Sequence, residues 1–198
     1  TQEGGAGPCI DCGAGQYQAE TIQTSCIKCV AGKIAATAKM TACTDCLAGQ
    51  YFTEEGGAGP CIDCVAGQYQ AETVQASCIK CVVGKFAGTA KLTVCAECEA
   101  GMYAVEEGKQ TCIDCVAGQY QAEKVQTSCI TCVVGKVAAT AKMSACTECD
   151  AGQYNSVVEL YNAETGVTTQ EGGAGPCIDC VAGQYQVAKV QTSCIKCV

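Results

Sequence analysis

Pairs of cysteines separated by two residues recur along this chain at an almost constant spacing. The Cys-x-x-Cys pairs begin at positions 9, 26, 43, 61, 78, 95, 112, 129, 146, 177 and 194, so successive pairs lie 17 or 18 residues apart except for one interval of 31. A unit of 17 residues buries too little surface to offset the entropy of ordering it. Each repeat must therefore be cross-linked, stacked on its neighbours, or both.

Cysteine is also abundant, with 22 among 198 residues, while the chain has only two Phe, no Trp, no His and no Arg. Such a composition is typical of a disulfide scaffold in an oxidising, extracellular setting, with little material for a globular core. The predicted fold class is small disulfide-rich β. We expect an elongated, solenoid-like ladder of β-hairpin repeats of about 17 residues, with one disulfide per repeat and little helix.

The charge and residue types exclude several classes of function. A formal net charge of −8 without Arg argues against nucleic acid as a partner, and no apolar run is long enough for membrane insertion. Without His, Arg or a unique acid pair we expect no enzyme and no cofactor, and the Glu54–Glu55 and Glu106–Glu107 doublets are interpreted as solvated loop charge. No signal peptide is visible before the first repeat at Thr1, so the sequence is interpreted as a mature fragment.

The repeats are nested. The pairs cycle through CIDC, then CIKC or CITC, then CTDC, CAEC or CTEC, which predicts a first triad over 1–60, a second over 61–111, a third over 112–176 with an inserted loop at 155–168, and the start of a fourth over 177–198. Residues 1–30 match residues 169–198 at all but five positions. We therefore expect one continuous array cut from a longer repetitive chain with a 168-residue period.

A glycine follows each cysteine pair at a fixed offset, and an aromatic or aliphatic residue comes two positions later, as in Gly15 with Tyr17 and Gly84 with Phe86. This pattern predicts a backbone position with positive φ or a close approach to the next unit. The side chain that follows is expected to pack on a disulfide, where a Tyr ring can be buried while its hydroxyl stays in water.

The cysteines could form disulfides, bind zinc or carry out redox chemistry. The C-x2-C-x13-C-x2-C spacing is close to that of zinc ribbons, but the uniform spacing over an odd number of pairs favours disulfides. Pairing within a Cys-x-x-Cys would close a small strained ring, whereas joining the second Cys of one pair to the first of the next closes nearly equal loops. The pairs predicted in this way are Cys12–Cys26, Cys29–Cys43, Cys46–Cys61, Cys64–Cys78, Cys81–Cys95, Cys98–Cys112, Cys115–Cys129, Cys132–Cys146, Cys149–Cys177 and Cys180–Cys194, with Cys9 and Cys197 pairing outside this window.

The motif Cys-x-x-Gly-x-Tyr, a loop of about ten residues and then Ser-Cys-x-x-Cys, as in residues 64–81, resembles a known family of repeats. It is similar to the ephrin-receptor-like cysteine-rich repeat and to the single-disulfide module of tumour necrosis factor receptors, within the growth-factor-receptor cysteine-rich group. The resemblance covers nearly the whole chain outside 155–168. It implies the same second-to-first disulfide linkage, and long arrays of this kind also resemble cysteine-rich surface proteins of protists.

Two functions compete. The first is a structural extracellular protein that self-associates as the building strand of a cell-surface or secreted filament, because a linear scaffold grows by duplicating one unit. The alternative is an adhesin or receptor-like ectodomain stalk that binds a protein or glycan through the 155–168 loop, with Leu160 and Tyr161 as candidate contacts. Candidate sites for O-glycans are Thr37, Thr41, Thr89, Thr93, Thr140 and Ser144, whereas neither Asn155 nor Asn162 lies in an N-glycosylation sequon.

Overall fold

The computed structural model describes residues 10–20, 24–155, 158–162, 167–171 and 173–198, with side chains described outside 156–172. Over these residues the chain has no helix and forms a series of two-stranded antiparallel hairpins. Ten of them, numbered 1 to 10, pair Gln16–Tyr17 with Ile27–Lys28, Lys33–Ile34 with Thr44–Asp45, Gln50–Tyr51 with Ile62–Asp63, Gln68–Tyr69 with Ile79–Lys80, Lys85–Phe86 with Ala96–Glu97, Met102–Tyr103 with Ile113–Asp114, Gln119–Tyr120 with Ile130–Thr131, Lys136–Val137 with Thr147–Glu148, Gln153–Tyr154 with Ile178–Asp179, and Gln184–Tyr185 with Ile195–Lys196.

Each of these hairpins is accompanied by one disulfide, and the hairpin with its disulfide is called here a repeat. The predicted fold class, a ladder of disulfide-bonded hairpin repeats, is confirmed in these terms. The contacts divide the chain into two compact units, of which the first comprises Thr1–Cys81, Ala87–Ala96 and Gly108–Gln110, and the second Val82–Phe86, Glu97–Glu107 and Thr111–Val198. The division into triads is a sequence periodicity and stays a prediction.

Repeat 4 shows how these residues form a hairpin. A tight turn follows Cys64, in which the Gln68 N–H donates to the Val65 carbonyl at 3.1 Å, and Gly67 inside it has a φ of +87°. The chain then runs into Gln68–Tyr69, and Tyr69 lies opposite Ile79 on the returning strand. The Cys64–Cys78 disulfide closes the intervening loop, and the Cys81 N–H donates to the Gly67 carbonyl at 3.0 Å. Two-residue strands are too short to be stable alone, so the covalent link is needed to hold them together.

Within each unit a common set of three backbone hydrogen bonds joins most repeats to the next. Between repeats 4 and 5, in the first unit, Gly67 N–H donates to Ala87, Gln70 N–H to Leu92, and Lys91 N–H to Cys64, at 2.8, 3.1 and 2.8 Å to the carbonyl oxygens. Between repeats 6 and 7, in the second unit, Gly101 N–H donates to Gln121, Ala104 N–H to Gln126, and Val125 N–H to Cys98, at 2.7, 3.0 and 2.9 Å. The stacked repeats therefore satisfy each other's exposed backbone groups, as strands do in a sheet.

The buried side chains are mainly cysteine and alanine. In the first unit, Cys81, Cys95 and Ala87 of repeat 5 form a small buried cluster, against which Tyr69 of repeat 4 and Leu92 pack. In the second unit, Cys98, Cys112 and Ala104 of repeat 6 form an equivalent cluster, with Phe86 and Met102 packed on it. The aromatic residue after the turn glycine thus packs on the disulfide of the following repeat. Each core is a single cystine with its immediate neighbours, so no large apolar interior is required.

The insertion in repeat 9 forms a hairpin of its own. Strands Val158–Asn162 and Val167–Glu171 pair antiparallel, with Leu160 opposite Thr169 and Tyr161 opposite Thr168. The sequence was interpreted here as a loop, and the two five-residue strands give that loop a regular backbone. At its base, the Gly173 N–H donates to the Asn155 side-chain oxygen at 3.0 Å.

Candidate functional site

The structure joins the same ten cysteine pairs that are named above. Eight of the ten disulfides have a sequence separation of 14, Cys46–Cys61 has 15, and Cys149–Cys177 has 28 because it spans the insertion. Cys9 lies outside the described residues, and Cys197 is exposed and carries no disulfide. Among the described residues no group of three or more metal-ligating side chains comes together. Cysteine chemistry in this part of the chain is therefore that of cross-linking.

In repeats 1 to 8 the turn glycine is in close contact with a repeat two positions further along. A Cβ added to Gly49 of repeat 3 would lie 2.5 Å from the Lys91 carbonyl oxygen of repeat 5, and one added to Gly84 of repeat 5 would lie 2.5 Å from the Val125 carbonyl oxygen of repeat 7. The turn glycines also have positive φ, +82° at Gly49 and +77° at Gly84. Both properties expected from the sequence pattern, positive φ and a close approach, are thus found at these positions.

A second residue with positive φ lies in the loop of each of these repeats, and it is glycine only in some of them. Lys39, Val74, Lys91, Val125, Lys142 and Val190 have φ between +58° and +65°, and glycine fills the equivalent positions 56, 108 and 173. A β-branched residue such as Val125 is unfavourable in this conformation. Its N–H, however, donates to the Cys98 carbonyl at 2.9 Å, so the inter-repeat hydrogen bond holds it there.

Buried glutamines hold the loops of the repeats that begin with CIDC, and they were not singled out from the sequence. Gln121 is 5% exposed; its side-chain amide donates to the Ser128 carbonyl at 2.7 Å, and its side-chain oxygen accepts from the Glu123 N–H at 3.1 Å. Gln70 and Gln186 make the equivalent contacts in repeats 4 and 10. The sequence does mark this position, because every repeat that begins with CIDC has a Gln three residues after its turn glycine.

Ion pairs follow the repeat pattern. Some lie between paired strands of one hairpin, such as Lys33–Asp45 at 2.8 Å and Lys136–Glu148 at 3.0 Å, and others link different repeats, such as Lys91–Asp63 at 3.6 Å. Lys124 of repeat 7 binds Glu99 of repeat 6 at 2.7 Å, and this hydrogen bond, followed by the charge of Glu99, raises the pKa of Lys124 above its ordinary value. Lys189 binds Asp150 at 2.8 Å, and the hydrogen bond and charge of Asp150 likewise raise its pKa.

Equivalent depressions lie beside two of the hairpins. In the first unit, a cavity of about 300 Å³ is lined by Tyr17, Ile27, Val30 and Lys33, with Ala42 and the Cys43 end of a disulfide. In the second unit, a cavity of about 290 Å³ is lined by the matching residues Tyr120, Ile130, Val133 and Lys136, with Ala145 and Cys146. The same sequence pattern therefore builds the same shallow, largely aliphatic surface in both units.

The remaining predicted residues are placed as follows. Thr37, Thr41, Thr89, Thr93, Thr140 and Ser144 are all exposed, so their hydroxyls are accessible to modification. Leu160 and Tyr161 lie on the first strand of the inserted hairpin, and their side chains fall outside the described residues. The part of the chain that the structure describes contains no helix of the length and apolarity needed to cross a bilayer.

A family model described as tyrosine-protein kinase ephrin type A/B receptor-like matches residues 49–91 and 101–142. No curated protein matches the chain significantly. The matched segments begin at the turn glycines Gly49 and Gly101 and end in the loops of repeats 5 and 8. Receptor-like repeats and many disulfides together point to an extracellular environment. The segments 49–91 and 101–142 are therefore ephrin-receptor-like, and the chain is a tandem array of disulfide-bonded cysteine-rich repeats.

Proposed function

We propose that this chain is a structural extracellular protein and the building strand of a cell-surface or secreted filament. The observation that carries the proposal is the repeated junction: within each unit the same three backbone hydrogen bonds recur between successive repeats, with at least one cysteine of most disulfides buried beneath them. Among the described residues the exception is the junction of repeats 8 and 9, which shows one of the three, from the Ala138 N–H to the Gly173 carbonyl. A junction of this kind can be copied without altering either neighbour, which is the physical requirement for a scaffold that grows by duplication.

The distribution of polar groups also supports a structural role. The acids beside the hairpins are neutralised by lysines of the same chain, as in Lys85–Glu97 at 3.0 Å. The buried amides are used in bracing loops, as in Gln70, whose side chain donates to the Ser77 carbonyl at 2.7 Å. In these examples the polar side chains stabilise the repeats of their own chain, as expected for a scaffold. Contacts with other molecules would then be made by the rest of the surface.

An adhesin or receptor-like stalk is the second candidate, and the inserted hairpin of repeat 9 is the observation that favours it. Strands Val158–Asn162 and Val167–Glu171 interrupt an otherwise regular array and lengthen the Cys149–Cys177 separation to 28. A hairpin presented on a rigid repeat is a common way to display a binding surface for a protein or glycan. In this role Leu160 and Tyr161 supply the candidate contacts.

Electron microscopy of the chain, secreted by a eukaryotic host and purified without reductant, tests the filament proposal. We expect threads that lengthen or multiply with protein concentration and disappear when the disulfides are reduced. Compact, separate particles at every concentration would refute the proposal.

A matched variant separates the two candidates. Deleting residues 156–169 keeps Asn155 and shortens the Cys149–Cys177 separation from 28 by 14 residues, to the 14 that is found in most other repeats. Under the filament proposal this variant still forms threads. If threads persist but binding to a cell surface is lost, the hairpin is the binding element of a stalk.

A further inference from the structure

Two positions in most repeats carry exposed aliphatic side chains. They are the residue after the first cysteine of a pair and the residue after the second. In the CIDC, CIKC and CITC pairs they are Ile and Val, except at the first CIDC pair, where they are Ile10 and Gly13. We call these the apolar pairs: Ile27 with Val30, Ile62 with Val65, Ile79 with Val82, Ile113 with Val116, Ile130 with Val133, and Ile178 with Val181. Their exposure lies between 39% and 64%.

The apolar pairs border the depressions already described. Ile27 and Val30 line the one beside hairpin 1, and Ile130 and Val133 line the one beside hairpin 7. The buried cores are built from cystine and alanine, so these side chains are not needed to complete the fold. Single exposed aliphatic residues are ordinary on protein surfaces, but an exposed aliphatic pair that recurs at equivalent positions of many repeats is a regular feature of the surface.

The repeats that begin with CTDC, CAEC or CTEC carry other residues at these positions: Thr44 with Leu47, Ala96 with Glu99, and Thr147 with Asp150. Glu99 and Asp150 are paired with Lys124 and Lys189, so these two interruptions are polar but locally neutral. Leu47 is 60% exposed, so the earliest of the three positions stays partly apolar. Between residues 62 and 133 the apolar pairs therefore come along the sequence in two groups of two, separated by a neutral polar step.

Two of the three acids that adjoin the apolar pairs are neutralised as well. Asp63, next to Ile62, lies 3.6 Å from Lys91, and Asp114, next to Ile113, lies 4.0 Å from Lys142. The third, Asp179, accepts a hydrogen bond from the Gln153 side chain at 2.8 Å. The net charge of −8 would oppose the approach of two copies if it were uniform, and the two ion pairs reduce that charge beside Ile62 and Ile113.

The area of the surface indicates what kind of partner it fits. Burying one apolar pair removes on the order of 150–200 Å² from water. A stable interface takes about 800 Å² from each partner. Four or five pairs must therefore engage together, and the second unit contains Ile113 with Val116, Ile130 with Val133, Ile178 with Val181, and Ile195 with Val198. A partner that meets all of them needs the same spacing and the same interruptions, which a second copy of this chain has.

We propose that the apolar pairs form the lateral contact through which two copies of this chain associate side by side. The inference rests on the proposed filament function and names the surface on which it depends. Each pair alone contributes a weak contact, and the repetition of pairs along the chain gives the contact its affinity through multivalency.

Threonine substitution tests the proposal with a matched control. The test variant is V116T/V133T/V181T, whose three valines belong to apolar pairs and are 60%, 63% and 64% exposed. The control variant is V94T/V105T/V187T, whose valines lie in loops outside the pairs and are 68%, 52% and 77% exposed. Threonine keeps the β-branched shape, so both variants are expected to fold, and non-reducing peptide mapping checks that the disulfides are unchanged.

Sedimentation equilibrium and thread width in electron micrographs are the readouts. We expect the test variant to weaken pairwise association by at least tenfold and to give thinner threads, while the control matches the unmodified chain. Sodium sulfate is expected to strengthen the association, because this salt favours the burial of apolar surface. If the contact were ionic, the added salt would weaken it by screening the charges.

The outcomes separate this inference from the filament proposal. If the unmodified chain forms threads and the test variant associates as tightly as the control, the lateral contact lies elsewhere and the inference is overturned. An unmodified chain that stays monomeric at all concentrations also overturns it. Failure of the unmodified chain to form threads, with dimers that are sensitive to the test substitutions, contradicts the filament proposal and supports the contact.

Discussion

Repeats 2 to 10 each contain two residues of positive φ, one in the turn and one in the loop, and the two positions accept different side chains. The turn position is always glycine, and in repeats 1 to 8 the backbone of a repeat two positions further along lies against it, as the Lys91 carbonyl does at Gly49. The loop position holds Gly, Lys or Val, and it is open at Gly56 and Gly108, where an added Cβ would have no neighbour closer than 3.6 Å, but crowded at Gly173, where it would lie 2.9 Å from the Lys136 carbonyl oxygen. Crowding, rather than φ alone, therefore explains why only one of the two is invariantly glycine.

Alanine substitutions at Gly49 and Gly56 in repeat 3 test this distinction. Both residues have positive φ, +82° and +76°, but a Cβ at Gly49 would lie 2.5 Å from the Lys91 carbonyl oxygen, whereas a Cβ at Gly56 has no neighbour closer than 3.9 Å. Gly56→Ala is expected to cost about 1 kcal/mol for the backbone conformation alone. Gly49→Ala is expected to cost about 3 kcal/mol or more, since the neighbouring backbone must also move.

Amide hydrogen exchange of the intact chain gives the free energy of local opening around each substitution, which suits an array of repeats better than a single global transition. Similar opening free energies for the two variants would show that the close contact at Gly49 contributes nothing.

At the scale of the element, the acid and the lysine that link two neighbouring repeats are present together or absent together. Repeats 6 and 7 are linked by Glu99 and Lys124, and repeats 9 and 10 by Asp150 and Lys189. The equivalent positions between repeats 3 and 4 hold Leu47 and Thr73, so the acid and the lysine are absent together. Both kinds of junction keep the bond from the loop N–H to a cysteine carbonyl, at 2.9 Å for Val74 to Cys46 and for Val125 to Cys98.

The pair Glu99–Lys124 predicts a specific pH response. Because the pKa of Lys124 is raised in the folded chain, the pair stabilises the fold fully below the ordinary value of 10.5 and loses this effect as pH rises through the raised pKa. In Glu99→Gln the pKa of Lys124 is expected to fall back toward 10.5, as measured by nitrogen NMR titration of its side chain. Both groups are exposed, so the effect should also diminish in about 1 M salt.

Lys189 provides an internal comparison, because its partner Asp150 is unchanged by that substitution and the raised pKa of Lys189 should not move. An unaltered Lys124 titration in Glu99→Gln would mean that the ion pair does not form in solution.

At the scale of the whole molecule, disulfides take the place of a large hydrophobic core. The fully buried larger side chains in the described part of the chain are cysteines, among them Cys29, Cys64, Cys98 and Cys132. Closing a loop of about 15 residues stabilises a fold by roughly 3 kcal/mol in the chain-entropy model. That contribution is repeated with each disulfide, so stability depends on oxidation along the entire array.

Reduction is therefore expected to unfold the chain without any reagent that attacks hydrophobic contacts. Treatment with a phosphine reductant at neutral pH should abolish the hairpin signal in circular dichroism and the protection of amides such as Cys81 N–H. The loss should proceed in several steps, because repeats bond to their near neighbours and share no common core. Zinc added afterwards should not restore the fold, whereas recovery with zinc would favour metal sites over disulfides.

The sequence was sufficient for the disulfide repeat and insufficient for the contacts between repeats. Constant cysteine spacing implied nearly equal closed loops, and the glycine after each pair implied positive φ, as found at Gly15. The repetition of Gln at position 121 and its equivalents was visible in the sequence, but its burial was not, because that depends on the Ser128 carbonyl and the Glu123 N–H being brought to the amide by the loop. The positive φ of Val125 was equally hidden, since a hydrogen bond to another repeat overrides its local preference.

The sequence of the insertion itself indicates a β-hairpin, although it was interpreted above as a loop. Val158, Leu160 and Tyr161 are strand-forming residues, and Gly166 lies between them and a second run that begins at Val167. β-branched and aromatic residues on either side of a glycine-containing turn are typical of a hairpin. What the sequence could not provide is the base of this hairpin, where Asn155 accepts a hydrogen bond from Gly173.

The positions of the disulfides also determine how the chain responds to tension. A force transmitted along the backbone crosses each repeat through the cystine, where the Cα atoms of Cys64 and Cys78 are 5.7 Å apart, and then through the three peptide links from Cys78 to Cys81. At about 3.5 Å per residue those links extend to ~10 Å, whereas an open chain of 17 residues would extend to ~60 Å. The residues inside the closed loops, thirteen in the loop from Cys64 to Cys78, carry no load. A pulled strand therefore reaches its full contour length early and behaves as a nearly inextensible tether until sulfur–sulfur bonds are cleaved.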